Sequence, residues 1–311
     1  MKAVLPALAR ALIEHRLPDA LEVTWVTTRE EATTAMADAE IGWVDLYPHG
    51  LTPEAVAAGT SLKWLFTAIA GVEALDLPTL AARGTVVTNG AGINAIAVAE
   101  YAVLGILAAA KRFDRVVRSA DRHEWPDYAP GRLELFETAA LIVGYGAIGR
   151  LIGERLAAFG VAVTGVTRSG QGGTLTPEAW KARLGDFDWV VLAAPSTDAT
   201  KTLIGADELA AMKPDAWLIN IARGDMVDQD ALIAALTQKT IAGAFLDTVT
   251  PEPLPAEHPL WSAPNAIHSM HLSGRSQTKM FQRATALFLR NLDAFLAGRA
   301  MENVVDLGAG Y

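Results

Sequence analysis

Short apolar segments alternate with alanine-rich segments along the first ninety residues. Five of the apolar segments have the length and composition of strands, and they lie at residues 2–6, 21–26, 41–47, 62–69 and 85–89. Helical segments separate them, and this alternation is typical of an α/β unit with a parallel sheet. We therefore predict a first α/β domain in this part of the chain.

A long helix predicted for residues 94–112 and a Pro- and Gly-containing connection at 122–134 separate this part from a second series of βα repeats. The predicted strands of the second series lie at residues 140–143, 161–167, 189–195, 216–222, 242–247 and 266–271. They are apolar throughout, as strands buried on both faces are. A last helix, predicted from about residue 273 to 298, would return to the first domain.

The predicted fold class is therefore α/β, with two Rossmann-like, doubly wound parallel-sheet domains. Residues 94–272 would form the dinucleotide-binding domain. Residues 1–93 and 273–311 would form a discontinuous, flavodoxin-like substrate domain.

Composition narrows the classes of partner. The 311 residues are 51% hydrophobic, carry a net charge of −9 without a basic block, and include no cysteine. Nucleic acid and anionic membranes need clustered positive charge, so a small-molecule partner is expected. The missing cysteines exclude thiolate metal sites and thiol nucleophiles and are compatible with the cytoplasm. The apolar run at 95–110 is shorter than a bilayer crossing and contains Glu100, which indicates a buried helix.

A glycine-rich turn carries the first chemical signal. Gly144, Gly146 and Gly149 form G-x-G-x-x-G directly after an apolar strand and before a helix. The three glycines permit a tight turn, a close backbone approach to pyrophosphate and close helix packing, with the anion at the helix N-terminus. The motif predicts a dinucleotide site, and a purely structural βα turn is the alternative.

The end of the next predicted strand bears on the coenzyme. Where NAD enzymes place an acidic residue that binds the ribose 2′-hydroxyl, this chain has Arg168 and Ser169. A guanidinium and a hydroxyl suit a 2′-phosphate, which a carboxylate would repel. The pattern favours NADP, and an exposed arginine with NAD also accepted is the alternative.

Three polar residues follow three successive strands of the second domain, namely Arg223, Glu252 and His271. The carboxyl ends of parallel strands face one ligand crevice, so these side chains are expected to converge. Taken singly, each has a structural alternative: a strand cap, a Pro-rich surface turn and a buried histidine.

With the glycine turn, these residues make the chain resemble the D-isomer-specific 2-hydroxyacid dehydrogenase family along nearly its whole length. The motifs that carry the resemblance are IAGVEALD at 69–76, NAIAVAEYAVLGILA at 94–108, VGYGAIGR at 143–150, INIARGDMVDQDAL at 219–232 and AFLDTVTPEPLPAEHPLWSAPN at 244–265.

The resemblance implies hydride transfer between nicotinamide C4 and the α-carbon of a 2-keto or 2-hydroxy acid. Arg223 would bind the substrate carboxylate and polarise the keto oxygen. His271 would exchange a proton with that oxygen, since imidazole titrates near neutral pH. Glu252 would orient the imidazole and stabilise its charged form.

The resemblance also implies binding residues outside the catalytic set. The backbone amides of Ala70 and Gly71 would bind the substrate carboxylate. Asp247 would contact the nicotinamide amide, with a structural strand cap as the alternative. The other coenzyme contacts implied, besides Arg223 and His271, are Tyr145, Ala147, Ile148, Ala194, Pro195, Ile221, Ala222 and Gly274.

Two departures from the family pattern and a second histidine need comment. Met270 stands where the family often has proline, and Phe136-Glu137 replaces a glycine-basic pair. His268 precedes His271 by three residues. In a continuous strand an odd separation puts them on opposite faces, and the family register selects His271.

Alternative functions stay open at this point. They are a non-enzymatic NAD(P)(H)-sensing binding protein, a formate-dehydrogenase-like enzyme, which would pair its histidine with glutamine, and a dehydrogenase for a bulkier, phenylpyruvate-like acid. The favoured substrate is glyoxylate or hydroxypyruvate. Candidate residues for the substrate side-chain pocket are Trp43, Leu46, Tyr47, Ile69, Trp261 and Met270. No metal site is expected, and the resemblance implies a homodimer formed by the nucleotide domains and a cleft that closes around substrate.

Overall fold

The structure is a computed structural model that describes residues 1–46 and 50–308. The chain divides into two compact units. Unit 1 consists of Met1–Asn94 and Gln277–Tyr311, and unit 2 is Ala95–Ser276.

The strands are β1 (Lys2–Pro6), β2 (Glu22–Val26), β3 (Ile41–Trp43), β4 (Asp45–Leu46), β5 (Gly50–Leu51), β6 (Trp64–Phe66), β7 (Val86–Thr88), β8 (Ala139–Val143), β9 (Ala162–Val166), β10 (Trp189–Leu192), β11 (Trp217–Asn220), β12 (Gly243–Leu246) and β13 (Ala266–His268). The α-helices are α1 (Arg10–Ile13), α2 (Arg29–Met36), α3 (Pro53–Ala58), α4 (Leu77–Ala82), α5 (Ala95–Lys111), α6 (Phe113–Asp121), α7 (Ala147–Ala158), α8 (Ala206–Ala211), α9 (Gln229–Gln238) and α10 (Met280–Leu296).

Unit 1 is built on a five-stranded parallel sheet in the order β2-β1-β3-β6-β7. This is the flavodoxin-like order of a doubly wound sheet. On one face, an aromatic cluster joins the sheet to α10: the rings of Trp64 and Phe288 are stacked at 5.2 Å, and Trp43 and Phe66 meet edge to face at 4.9 Å. These four side chains are fully buried, and each contributes roughly 1.5–3 kcal/mol by leaving water.

Unit 2 is built on a six-stranded parallel sheet in the order β13-β12-β11-β10-β8-β9. Beyond β9, Leu175 forms a single parallel bridge with Val166. That bridge occupies the place of the third strand in the dinucleotide-binding order 3-2-1-4-5-6. Helices α5 and α7 cover one face of the sheet and α9 the other. The strands at its centre are buried on both sides, as their continuous apolar sequences predict.

The predicted fold class is confirmed. The elements differ from the prediction mainly at their ends. The strand predicted for 266–271 stops at His268, and the last helix begins at Met280 instead of about residue 273. After α5, Arg112 adopts a left-handed backbone with φ of 48° and a separate helix, α6, follows before the predicted connection.

The described residues contain neither a metal-ligand cluster nor a helix that could span a membrane. Within residues 1–46 and 50–308, no group of three or more His, Cys, Asp or Glu residues could hold a metal ion. No helix in the same part of the chain is long and apolar enough to cross a membrane.

Candidate active site

Arg223, Glu252 and His271 lie on the loops that follow β11, β12 and β13, which are adjacent in the sheet of unit 2. All three loops leave the carboxyl edge of this parallel sheet. Ligands of open α/β sheets bind at this edge. The topology thus places the three predicted residues on one side of the unit.

The loop that carries Arg223 is fixed by the buried side chain of Asn220. Its Nδ2 donates to the carbonyl of Arg223 at 2.8 Å, and its Oδ1 accepts from the amide of Ala222 at 3.1 Å. Gly224 packs on the next loop, since a Cβ there would lie 2.1 Å from the carbonyl carbon of Val249. Only glycine permits so close an approach. Arg223 is half-buried, and its Nη1 donates to the carbonyl of Ala222 at 2.9 Å.

Glu252 and His271 form a directly hydrogen-bonded pair. The Nδ1 atom of His271 donates to Oε2 of Glu252 at 2.6 Å, and the amide of Val249 donates to Oε1 at 3.1 Å. The carboxylate is therefore held through both oxygens. Among the described residues, Nε2 of His271 has no protein partner. The pair thus leaves the second ring nitrogen available for a substrate proton.

Asp247 builds the loop that carries His271. Its carboxylate is 2% exposed and accepts hydrogen bonds from the hydroxyls of Ser269 and Ser273 and from the amides of Leu272 and Ser273. Its carbonyl also accepts from the amide of His271 at 2.6 Å. These contacts favour the strand-end cap that was the structural alternative. The predicted contact with the nicotinamide amide stays a prediction.

His271 lies beyond the end of β13, in a loop where Met270 and His271 have φ values of 54° and 53°. The argument that His268 and His271 face opposite sides of one strand is therefore wrong, because the strand ends at His268. Both histidines line the same cavity of about 450 Å³, together with Glu252 and Trp261. Proline fixes φ near −65°, so the usual family residue could not adopt the conformation of Met270.

His268 has a structural environment. Its Nε2 donates to the carbonyl of Leu260 at 3.0 Å, and its ring lies 4.9 Å from that of Trp261. Burial lowers the pKa of His268, since a charged imidazole would lose hydration there. His268 is thus a neutral packing residue beside the His271 loop.

The glycine turn fits a pyrophosphate. Gly144 has a φ of 97°, and a Cβ on it would lie 2.4 Å from the amide nitrogen of Ala194. A Cβ on Gly149 would lie 2.3 Å from the carbonyl oxygen of Gly144. Gly146 is different: it is exposed, and a Cβ on it would meet nothing within 4 Å. Gly146, at the N-cap of α7, has no side chain that could accept from the first amides of the helix, so these amides suit an anion.

Of the other coenzyme positions, Tyr145 packs its ring on Gly153 and Gly165. Ala147 and Pro195 are exposed, Ile148, Ala194 and Gly274 are half-buried, and Ile221 and Ala222 are buried, so the last two offer backbone and shape. Arg168 and Ser169 are exposed directly beyond β9.

In unit 1, the turn after β6 contains Ala70 and Gly71. The amide of Ile69 donates to Oγ1 of Thr67 at 3.2 Å, and the amide of Thr67 donates to the carbonyl of Thr88. The amides of Ala70 and Gly71, in contrast, donate to no atom of the described residues. Two adjacent free amides suit a carboxylate.

The structure buries some of the residues predicted for the substrate side-chain pocket and exposes others. Trp43 is 0% exposed and Leu46 4%, and both lie in the core of unit 1, so their assignment to a pocket wall was wrong. Tyr47 lies outside the described residues. Ile69, Trp261 and Met270 are exposed. Sequence reasoning missed Asn220, although an asparagine at the end of an apolar strand, just before the arginine, is a usable signal.

Known proteins place this geometry in a family. A model described as "D-isomer specific 2-hydroxyacid dehydrogenase, NAD binding domain" matches residues 103–273. The chain belongs to the D-isomer-specific 2-hydroxyacid dehydrogenases. It is 33% identical to a glyoxylate reductase of Thermofilum pendens over 292 residues, which cover 91% of this chain and 86% of the relative.

Solved structures agree with this placement. The dehydrogenase is similar to a family protein from Aeromonas salmonicida with a TM-score of 0.87 and 27% identity, covering 98% of this chain and 99% of the other. It is also similar to an NADPH-dependent glyoxylate/hydroxypyruvate reductase of Sinorhizobium meliloti, solved with NADP and malonate, with a TM-score of 0.77, 28% identity and coverage of 99% and 98%. The chain is therefore an oxidoreductase that uses a nicotinamide coenzyme and a small 2-hydroxy or 2-keto acid.

Proposed function

We propose that this dehydrogenase reduces a small 2-keto acid, glyoxylate or hydroxypyruvate, to the D-2-hydroxy acid with NADPH as the preferred coenzyme. The hydrogen-bonded pair of Glu252 and His271 carries the proposal. The two residues lie on the loops after β12 and β13, beside the loop after β11 that contains Arg223. The names of the relatives from Thermofilum pendens and Sinorhizobium meliloti support this choice of substrate.

His271 serves as the proton donor in reduction. Nδ1 is bonded to Glu252, so Nε2 is the nitrogen that faces substrate and donates its proton to the keto oxygen as that oxygen gains charge. Glu252 compensates the positive charge of the imidazolium and keeps the ring in one orientation. In oxidation, Nε2 accepts the proton from the hydroxyl group.

Arg223 and the turn of unit 1 bind the substrate. The guanidinium of Arg223 pairs with the substrate carboxylate and polarises the keto oxygen, for which its planar donor fork and permanent charge are suited. The free amides of Ala70 and Gly71 donate to the carboxylate. These contacts orient the α-carbon for reaction.

NADPH, when bound, would supply the hydride for the α-carbon of the substrate. Gly144, Gly146 and Gly149 hold the pyrophosphate against the N-terminus of α7. The loops at Ala194, Pro195, Ile221 and Ala222 shape the site for the adenosine and the nicotinamide ribose. Asp247 acts there mainly by holding the loop that contains His271 and Gly274.

The preference for NADPH rests on Arg168 and Ser169. Both side chains are exposed at the end of β9, where the ribose of a bound dinucleotide lies in this fold. A guanidinium forms a bidentate, charge-assisted contact with a phosphate. NAD(H) lacks the 2′-phosphate and would forgo this contact.

We also propose a homodimer through unit 2. Helix α6 and its surroundings expose a large apolar surface, which monomeric proteins usually avoid. Leu104, Phe113 and Val117 are 50%, 55% and 44% exposed, and Trp125 is 96% exposed. Light scattering of the purified chain would show a single species of twice the chain mass. The cytoplasmic location stays a prediction.

A coenzyme and substrate panel tests the proposal. Oxidation of NADPH and NADH would be followed by absorbance with glyoxylate, hydroxypyruvate and phenylpyruvate, and reduction of NADP⁺ and NAD⁺ would be followed with formate. We expect the highest kcat/KM for glyoxylate or hydroxypyruvate with NADPH. A higher kcat/KM for phenylpyruvate would show that the substrate is a bulkier 2-keto acid. Oxidation of formate would show that the enzyme catalyses a different reaction.

A further inference from the structure

We infer that Asp45 is a positioning residue for substrate binding, because its buried carboxylate fixes the turn that presents the amides of Ala70 and Gly71. The inference rests on the proposed role of these amides. Asp45 belongs to none of the motifs that carry the family resemblance. It is 9% exposed in a two-residue strand, β4, within unit 1.

Each carboxylate oxygen of Asp45 is occupied by a specific donor. The amide of Ala68 donates to Oδ2 at 2.5 Å, and Nε1 of Trp43 donates to the same oxygen at 2.9 Å. The hydroxyl of Thr67 donates to Oδ1 at 2.8 Å. Two of the three donors are therefore the first residues of the turn, and the third anchors the carboxylate to the core.

Thr67 extends this contact along the turn. Its hydroxyl donates to Asp45 and accepts from the amide of Ile69 at 3.2 Å. The amides of Ala68 and Ile69 thus donate within the protein, whereas those of Ala70 and Gly71 donate to no atom of residues 1–46 and 50–308. Asp45 and Thr67 therefore determine which amides of the turn remain available to a ligand.

The other side of the turn is fixed by Asn89. Its Nδ2 donates to the carbonyl of Ala70 at 2.7 Å, and the amide of Gly90 donates to the carbonyl of Ile69 at 2.9 Å. The backbone carbonyl of Asn89 accepts from Nδ2 of Asn303 at 3.2 Å. Asp45 holds the start of the turn and Asn89 its end, so the intervening amides have a defined direction.

Burial of the Asp45 carboxylate costs hydration free energy. Burial raises the pKa of Asp45, and the donors from Ala68, Thr67 and Trp43 oppose this rise by favouring the charged form. The three donors satisfy both oxygens of this buried side chain. A side chain held by three hydrogen bonds has little freedom to move, and rigid placement is what a backbone anion site requires.

Thr67→Val is the informative variant, because Asp45→Ala leaves three buried donors without an acceptor and risks misfolding. Thr67→Val keeps the shape of the side chain and removes both its hydrogen bonds. Thr85→Val is the matched control: Thr85 is also buried, donates to the carbonyl of Leu62 at 2.8 Å, and precedes β7 instead of following β6. All variants would be made in the full chain.

We expect Thr67→Val to raise the KM of the best 2-keto acid about tenfold while the KM of NADPH changes less than twofold. Thr85→Val should lower Tm similarly and leave both KM values unchanged. Equal KM values for the keto acid in the wild type, Thr67→Val and Thr85→Val would overturn the inference.

Hydrogen exchange separates this inference from the proposed function. In Thr67→Val or in folded Asp45→Ala, the amides of Ala68 and Ile69 should exchange at least tenfold faster than in the wild type and in Thr85→Val. If no 2-keto acid is reduced by the wild type, the proposed function fails, yet this exchange still tests the positioning of the turn. Unchanged exchange at both amides would show that Asp45 and Thr67 do not fix it.

Discussion

The Nδ1 atom of His271 lies 2.6 Å from Oε2 of Glu252, and the other oxygen of that carboxylate accepts from the backbone at Val249. The two residues come from loops after adjacent strands, β13 and β12. This contact orients the ring, since the carboxylate accepts a hydrogen bond from Nδ1–H and leaves Nε2 to the substrate.

Glu252→Gln should therefore impair catalysis without removing the proton donor. The neutral amide stabilises imidazolium less and holds the ring less firmly, so we expect a lower kcat for reduction at unchanged NADPH affinity. His271→Ala removes the donor and should lower kcat more, by roughly 10²–10⁴-fold. Steady-state kinetics and calorimetry of NADPH binding measure both effects. A wild-type kcat in Glu252→Gln would contradict the role of the pair.

Gly146→Ala should weaken coenzyme binding, whereas Gly144→Ala should lower the stability of the fold. Gly146 has open space around a new Cβ, so the variant should keep the wild-type Tm and bind NADPH about tenfold more weakly, a loss of about 1.4 kcal/mol. Gly144 has a φ of 97° and no space, so its variant should lose about 1–3 kcal/mol of unfolding free energy. Calorimetry of NADPH binding and urea unfolding test the contrast, and equal NADPH affinity in Gly146→Ala and the wild type would argue against pyrophosphate at this glycine.

Arg168→Asp should reverse the coenzyme preference. The substitution removes a charge-assisted contact with the 2′-phosphate, worth about 1.5–3 kcal/mol, and adds repulsion. We expect the ratio of kcat/KM for NADPH over NADH to fall by about tenfold to 100-fold. Arg150→Asp, a charge change at an exposed residue of α7, is the control. An unchanged ratio in Arg168→Asp would place recognition of the phosphate elsewhere.

Met270→Pro should inactivate the enzyme, although proline is common at this position in the family. Met270 has a φ of 54°, and proline holds φ near −65°. The substitution would rotate the loop and separate His271 from Glu252. We expect a loss of kcat at unchanged NADPH affinity, whereas Met270→Leu should retain activity. Full activity of Met270→Pro would show that the left-handed conformation is not required.

The sequence predicted much of this arrangement because hydrophobic periodicity marks the alternating strands and helices, and in a parallel sheet of that kind the loops after the strands share one edge. Gly144 and Gly149 could be read directly, since each has a conformational or steric reason to be glycine, and Gly146 was read from its place in the motif. His271 was identified from a family motif, and the reasoning from strand parity failed because the loop turns to left-handed backbone after β13.

The supporting residues were harder to find from the sequence. Asn220, Asp45 and Asn89 act through hydrogen bonds to backbone atoms far along the chain or in an irregular loop, and such contacts leave no periodic pattern. Trp43 illustrates the opposite error: an aromatic residue at a strand end was assigned to a pocket but packs against Phe66 and Phe288 in the core. Side-chain burial depends on tertiary packing that local sequence does not specify.

Transfer of deuterium from C4-deuterated NADPH to hydroxypyruvate tests the central claim most directly. The wild-type enzyme should form glycerate of the D configuration with one deuterium at C2, seen by mass spectrometry and chiral chromatography, and His271→Ala should form almost none. Two results would contradict the account: glycerate without deuterium at C2 from NADPH labelled on either face of C4, or no reduction of any 2-keto acid by the wild type.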